Sequence, residues 1–210
     1  MKYKNFIWDF DGTLFDSYPA MIESFMLALK EENIEENPQT IERLMKVSVS
    51  TVIEYIHKKY ECSTEFVNRF NEIRKQIEID MCIPYVDAIE TCQRIVDEGG
   101  RNFIFTHRGN STIELLERHN MGYLFTECIT KENGFERKPN PEGITYLVSK
   151  YNLDKEDTIM IGDRELDIQA GVQAKIKTCY FNNENKPAID YATLTISTLN
   201  DLLTSDLIKQ

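Results

Sequence analysis

Trp8-Asp9-Phe10-Asp11-Gly12-Thr13-Leu14 follows directly on the chain's first run of β-formers, Asn5–Trp8. Two carboxylates separated by one residue at a strand end raise each other's pKa, and a hard cation with oxygen ligands removes that cost. Gly12 lets the backbone turn sharply and approach a ligand closely. The same residues also suit an acidic β-turn, because Asp-Gly is common turn chemistry. What separates the two readings is the rest of the chain.

From about residue 84 onward, short β-rich runs alternate with amphipathic helical patterns, as expected of βαβ units and a parallel sheet. The strand candidates are Asn102–Thr106, Leu124–Ile129, Thr158–Gly162 and Thr178–Phe181, with Asn5–Trp8 joining the same sheet. Val86–Glu98 predicts a helix stopped by Gly99-Gly100. Ser111 and Glu114 have capping-box spacing. Asn140-Pro141 predicts a helix start, with the helix running to about Lys150. Between about Ser17 and Asp80 there is no strand pattern. Three helical stripes occupy it instead: Met21, Ile22, Phe25, Met26 and Leu29; Val52, Ile53 and Ile56; and Phe66, Val67, Phe70, Ile73 and Ile77. Asn37-Pro38 starts a further short helix between the first two. An all-helical block inserted after the first strand reads as a cap domain, with junctions near Phe15–Tyr18 and Cys82–Tyr85.

Three further stretches end predicted strands. Ile161-Gly162-Asp163-Arg164-Glu165-Leu166-Asp167 spaces two acids four apart, so a helix starting there puts both on one face; plain helix capping would use the same Asp. In Arg137-Lys138-Pro139-Asn140-Pro141-Glu142 a lysine just ahead of a helix could neutralise an anion near carboxylates, or could simply be a solvated surface cation. In Phe105-Thr106-His107-Arg108-Gly109 a hydroxyl and free backbone N–H groups could cradle an oxyanion. Strand C-termini are where open α/β sheets bind ligands, and these groups together make a phosphoryl-handling inventory.

Composition narrows the classes. The 210 residues, 41% of them apolar, suffice for one core with an insert. Lys plus Arg number 24 against 35 Asp plus Glu, a net charge of −11, which argues against nucleic acid and anionic lipid as partners. No apolar run nears the roughly 20 residues that span a bilayer, and Asp9 and Asp11 interrupt the only apolar stretch near the start, so no signal peptide is expected. Five scattered cysteines, odd in number and without a C-x-x-C pair, read as reduced thiols of a cytoplasmic protein.

Asp9-x-Asp11-Gly12-Thr13, Thr106, Lys138 and Gly162-Asp163 with Asp167 resemble the four ordered motifs of the haloacid dehalogenase-like hydrolase superfamily. The resemblance covers essentially the whole chain. The helical insert is similar to the small cap of phosphoglycolate phosphatase-like and β-phosphoglucomutase-like members, and the interval from Thr106 to Lys138 is too short for the large α/β cap of other members. The fold so implied is α/β: a three-layer Rossmann-like parallel core of residues 1–15 and 83–210, with a helical cap of residues 16–82.

The resemblance implies Asp9 as nucleophile, Asp11 as general acid and base, and Mg2+ held by Asp9, the Asp11 backbone carbonyl and Asp163, with Asp167 in support. Thr106 and the following amides, with Gly12 at the turn, would grip the phosphoryl group. Lys138 would offset its charge. His107 stands where relatives often carry Asn, and His107 or Arg108 could touch the leaving group. Asp11 favours phosphatase or phosphomutase over dehalogenase chemistry. The expected activity is hydrolysis of a small soluble phosphomonoester by a monomer or homodimer; a β-phosphoglucomutase-type mutase and a non-catalytic binding protein are the alternatives. In the cap, Arg43, Lys46 and Ser48-Val49-Ser50-Thr51 are either substrate-anion contacts or solvated helix ends.

Overall fold

Phe6, Ile7 and Trp8 are all fully buried, the signature of a central strand covered on both faces. In the computed structural model, which describes residues 2–204, that strand is β1 (Asn5–Trp8). It pairs in parallel with β4 (Arg101–Phe105) on one side and β6 (Thr158–Gly162) on the other. Beyond β4 lies β5 (Phe125–Ile129), and beyond β6 lie β7 (Lys177–Phe181) and β8 (Leu194–Ile196). The six-stranded order is therefore β5-β4-β1-β6-β7-β8, all parallel. The chain runs outward from β1 to one edge, then returns to build the other half. This is a Rossmann-like order, and its switch point falls between β1 and β6.

Helices flank the sheet: α5 (Ala88–Asp97), α6 (Ser111–Arg118), α7 (Glu142–Lys150) and α8 (Glu165–Ala174), followed by the short α9 (Asp201–Thr204). Ile7, Phe103, Phe105 and Met160 from the strands pack with Ile144 and Leu147 of α7 and Ala170 of α8. Polar groups that the sheet buries are paired. Trp8 Nε1 donates to Asn102 Oδ1 at 2.9 Å, and the Asn102 amide donates onward to the carbonyls of Cys92 and Leu124. Burial pushes the Cys92 and Cys179 thiols up, so both behave as inert apolar groups.

The chain divides into two compact units, residues 1–15 with 84–210 and residues 16–83. The second unit holds α1 (Tyr18–Glu31), α2 (Pro38–Val47), α3 (Val49–Lys59) and α4 (Phe66–Met81). Its core gathers Met21, Phe25, Leu29, Ile41, Met45, Val52, Ile56, Phe66, Phe70 and Ile73. Asn37 caps α2 by accepting from the Gln39 amide at 2.8 Å, and Ser48 caps α3 by accepting from Thr51 at 3.0 Å. Two very short strands, β2 (Phe15–Asp16) and β3 (Ile83–Pro84), form a separate two-stranded sheet. No helix among the described residues is long and apolar enough to cross a membrane.

Local expectations needed correction at several points: α7 starts at Glu142, with Pro141 at its cap position rather than at the first helical position, although the Asn140 side chain does accept from the Glu142 amide at 3.0 Å. Helix α5 starts at Ala88, not Val86, because Asp87 has φ +69° and no helix runs through a left-handed residue. Ser111 is the first residue of α6, not its cap, and its hydroxyl accepts from Arg108 Nε at 3.0 Å; no capping box forms. Strand β8 was not anticipated, because three residues at a sheet edge carry almost no periodicity. The Gly99-Gly100 stop is present: Gly99 has φ +81° and the Gly100 amide donates to Ile95.

The Phe25 ring meets Phe66 and Phe70 edge-on, at 5.2 and 5.1 Å between centroids. Phe25→Ala is expected to cost about 3–5 kcal/mol, the range for emptying a buried aromatic site. Urea unfolding followed by circular dichroism measures it, and a loss below about 1 kcal/mol would contradict the packing described.

Candidate active site

Strand β1 delivers Asp9 to the C-terminal edge of the sheet, where its amide still donates to Ile161 of β6 at 2.8 Å. The next residues turn back at once. Gly12 has φ +83° and donates to the Phe15 carbonyl at 2.8 Å, a conformation that suits glycine. Strand β6 ends beside it, putting Asp163 just past Gly162. The acids of the second stretch do not share a helix face as expected. Asp163 precedes α8, whereas Asp167 sits in its first turn and accepts from the Arg164 amide at 3.2 Å. They converge because Asp167 folds back over the strand end. A Cβ on Gly162 would lie 2.2 Å from the Asp167 Cβ, so only glycine admits that approach.

Asp9, Asp163 and Asp167 are buried, and each offers an oxygen within 4.8 Å of the others. Burial first, and the neighbouring acids second, push the carboxyls of Asp163 and Asp167 well above the usual carboxylate range. Lys138 is the principal counter-charge: Nζ lies 2.6 Å from Asp9 Oδ1, 2.6 Å from Asp167 Oδ1 and 2.9 Å from the Phe105 carbonyl. The donor set is all oxygen, crowded and short of positive charge, which fits a hard divalent cation such as Mg2+.

Two more cations stand nearby that the sequence did not single out as site residues. Arg164 lies 3.5 Å from Asp9 and 3.9 Å from both Asp163 and Asp167. Lys186 lies 3.7 Å from Asp163, on a loop tied by two hydrogen bonds between Asn182 and the Lys186 backbone. Arg164 was visible between two acids, but its direction was not; for Lys186 no sequence signal exists.

Thr106, His107 and Arg108 follow β4. Thr106 is buried, and its hydroxyl accepts from the Arg108 amide at 3.1 Å. The Asp11 carboxylate is not part of the three-acid cluster; Arg108 holds it at 2.7 Å. His107 turns toward the lysine segment, Nε2 accepting from the Lys138 backbone amide at 2.7 Å. The Lys46 ammonium pairs with Glu42 at 2.7 Å and lies over the Tyr18 ring, Ser48 is a helix cap, and Arg43 is exposed.

His107 has its pKa pushed down to about 2, by burial first and then by the charges of Lys138, Arg137 and Arg164. The unfolded chain takes up this proton near pH 6.5 and the folded chain does not, so His107 costs stability as pH falls below 6.5. The raised carboxyls of Asp163 and Asp167 act in the opposite sense, which makes the difference from a variant the informative quantity. Urea midpoints between pH 7 and 4 are expected to fall more steeply for the wild type than for His107→Gln. Parallel slopes would show that the ring is charged in the folded state.

The sequence profile of the family described as "Haloacid dehalogenase-like hydrolase" matches residues 6–181, from β1 through β7. A phosphoglycolate phosphatase from Aliivibrio fischeri is 28% identical over 198 residues, covering 87% of each chain. A hydrolase of known structure from Streptococcus pneumoniae is 34% identical, over 85% of this chain and 92% of its own, with a TM-score of 0.65. A structure described as a predicted phosphoglycolate phosphatase, from Haemophilus somnus, reaches a TM-score of 0.86 at 20% identity over essentially the full length of both chains; that likeness is one of fold.

Proposed function

The chain belongs to the haloacid dehalogenase-like hydrolase family, and from that premise we propose that it is a Mg2+-dependent phosphatase acting on a small phosphomonoester through an aspartyl-phosphate. The observation that carries the proposal is the buried meeting of Asp9, Asp163 and Asp167 on the Lys138 ammonium at the sheet's switch point. A non-catalytic binding protein has no reason to retain Asp11 as an acid–base group beside them.

In the first step an Asp9 carboxylate oxygen bonds to phosphorus while the bond from phosphorus to the leaving oxygen breaks. Asp11, as general acid, passes a proton to the leaving oxygen. In the second step Asp11 takes a proton from water, the water oxygen bonds to phosphorus, and the bond to Asp9 breaks, freeing phosphate and restoring the carboxylate. Lys138 offsets the charge of nucleophile and phosphoryl group. Thr106 and the amides after it hold phosphoryl oxygens, near the turn at Gly12. Asp9, Asp163 and Asp167 would hold Mg2+, with the Asp11 carbonyl; when bound, the ion neutralises phosphoryl oxygens and aligns them for in-line attack. The helical unit of residues 16–83 is assigned as the cap that selects the substrate.

Release of p-nitrophenol and phosphate from p-nitrophenyl phosphate tests the reading. Asp9→Asn is expected to lower turnover on the order of 10³-fold or more, the scale of losing a covalent nucleophile, while the protein stays folded. EDTA is expected to abolish turnover and excess Mg2+ to restore it. Retained activity in Asp9→Asn refutes the nucleophile, and full activity in chelator refutes the metal. Isomerised sugar in place of free phosphate, on a glucose 1-phosphate substrate, would make the enzyme a mutase.

A further inference from the structure

Lys138 must hold its ammonium 2.6 Å from the nucleophile, yet it belongs to no helix or strand. It lies between a short 3-10 turn at Lys131–Asn133 and the start of α7 at Glu142. Its side chain has four rotatable bonds, so the tip can be no better placed than the backbone beneath it. Two acceptors, Asp9 and the Phe105 carbonyl, and the ion pair with Asp167 fasten the tip. At the base, the Lys138 amide donates to His107 Nε2 at 2.7 Å.

That bond settles the state of the ring. A backbone N–H can only donate, so Nε2 must be the unprotonated nitrogen and the proton resides on Nδ1. Arg137 Nε and its guanidinium also approach Nδ1, both at 3.3 Å; a neutral ring accepts at one nitrogen only, and the 2.7 Å bond from the Lys138 amide is the shorter claim on it. Burial first, and then the positive charge of Lys138, Arg137 and Arg164, keeps the ring neutral and its acceptor available. His107 itself follows Thr106, whose own amide donates to Ile129 of β5 at 2.9 Å, so the ring stands on the end of the sheet.

We propose that His107 is a positioning residue: its Nε2 grips the backbone of Lys138 and so ties the lysine that neutralises the nucleophile to the rigid end of β4. It moves no proton and touches no substrate. This role rests on the phosphatase reading for its effect on turnover, but not for the hydrogen bond itself.

The test compares His107→Leu, which removes the acceptor, with His107→Gln, which returns one at a similar reach. His107→Leu is expected to lose about 10- to 100-fold in kcat, the cost of a misplaced catalytic group, and His107→Gln to recover most of that loss. The pH profile of kcat/KM in His107→Gln is expected to keep both limbs of the wild type. In the wild-type protein the Lys138 amide proton is expected downfield and slow to exchange with solvent, and to stay so in His107→Gln. That resonance decides the matter if His107→Leu does not fold or if no phosphatase activity is found in any variant. A fully active His107→Leu, a folded His107→Gln as poor as the leucine variant, a lost limb of the pH profile, or a fast-exchanging Lys138 amide each overturns the proposal.

Discussion

Everything at the C-terminal edge of the sheet depends on one ammonium group. Lys138 stands 2.6 Å from Asp9 and 2.6 Å from Asp167, with its own side chain fully buried. Without it, three carboxylates would face one another in a space that excludes water, a burial cost of several kcal/mol per ion. With it, one acid keeps a direct partner on each side of the switch point, and Arg164 and Lys186 stand off at 3.5–3.9 Å. The cluster still carries less positive than negative charge at close range. That imbalance suits a hard divalent cation better than it suits a closed structural ion pair.

The requirement for that cluster explains local choices that stability alone would not select. Gly162 interrupts a strand of β-formers so that Asp167 can fold back over its end. Gly12 reverses the chain directly after Asp11. The parallel order puts Asp9 and Asp163 on adjacent strands whose ends are level, Trp8 opposite Ile161, so that residues 154 positions apart in sequence meet without a long loop. The four-helix unit needs no such devices. Its stripes are ordinary amphipathic faces closed over Phe25, Phe66 and Phe70.

The sheet was legible because buried parallel strands are continuous apolar runs punctuated by glycine and proline, as at Ile159–Gly162 and Phe103–Phe105. Asp9, Lys138 and Asp163 were legible for a different reason: each follows a strand or precedes a helix, where a charged residue has no packing role, and Asp167 stood out only by its spacing from Asp163. Side-chain direction was not legible. Ser111 and Glu114 have the spacing of a capping box, yet the hydroxyl serves Arg108, because the guanidinium held on Asp11 reaches it first. His107 read as a group open to substrate, whereas its ring turns to the Lys138 amide, a contact between residues 31 apart that no local pattern encodes. Lys186 reaches Asp163 from a loop with no signal of its own.

A covalent bond between phosphorus and the first acid of the chain is the centre of this account. Borohydride added during steady-state turnover reduces an acyl phosphate to an alcohol, and peptide mass spectrometry locates the reduced residue. The account predicts homoserine at position 9 and nowhere else, appearing only when substrate and Mg2+ are both present. Reduction at another residue, or an unmodified Asp9 under turnover, would contradict it.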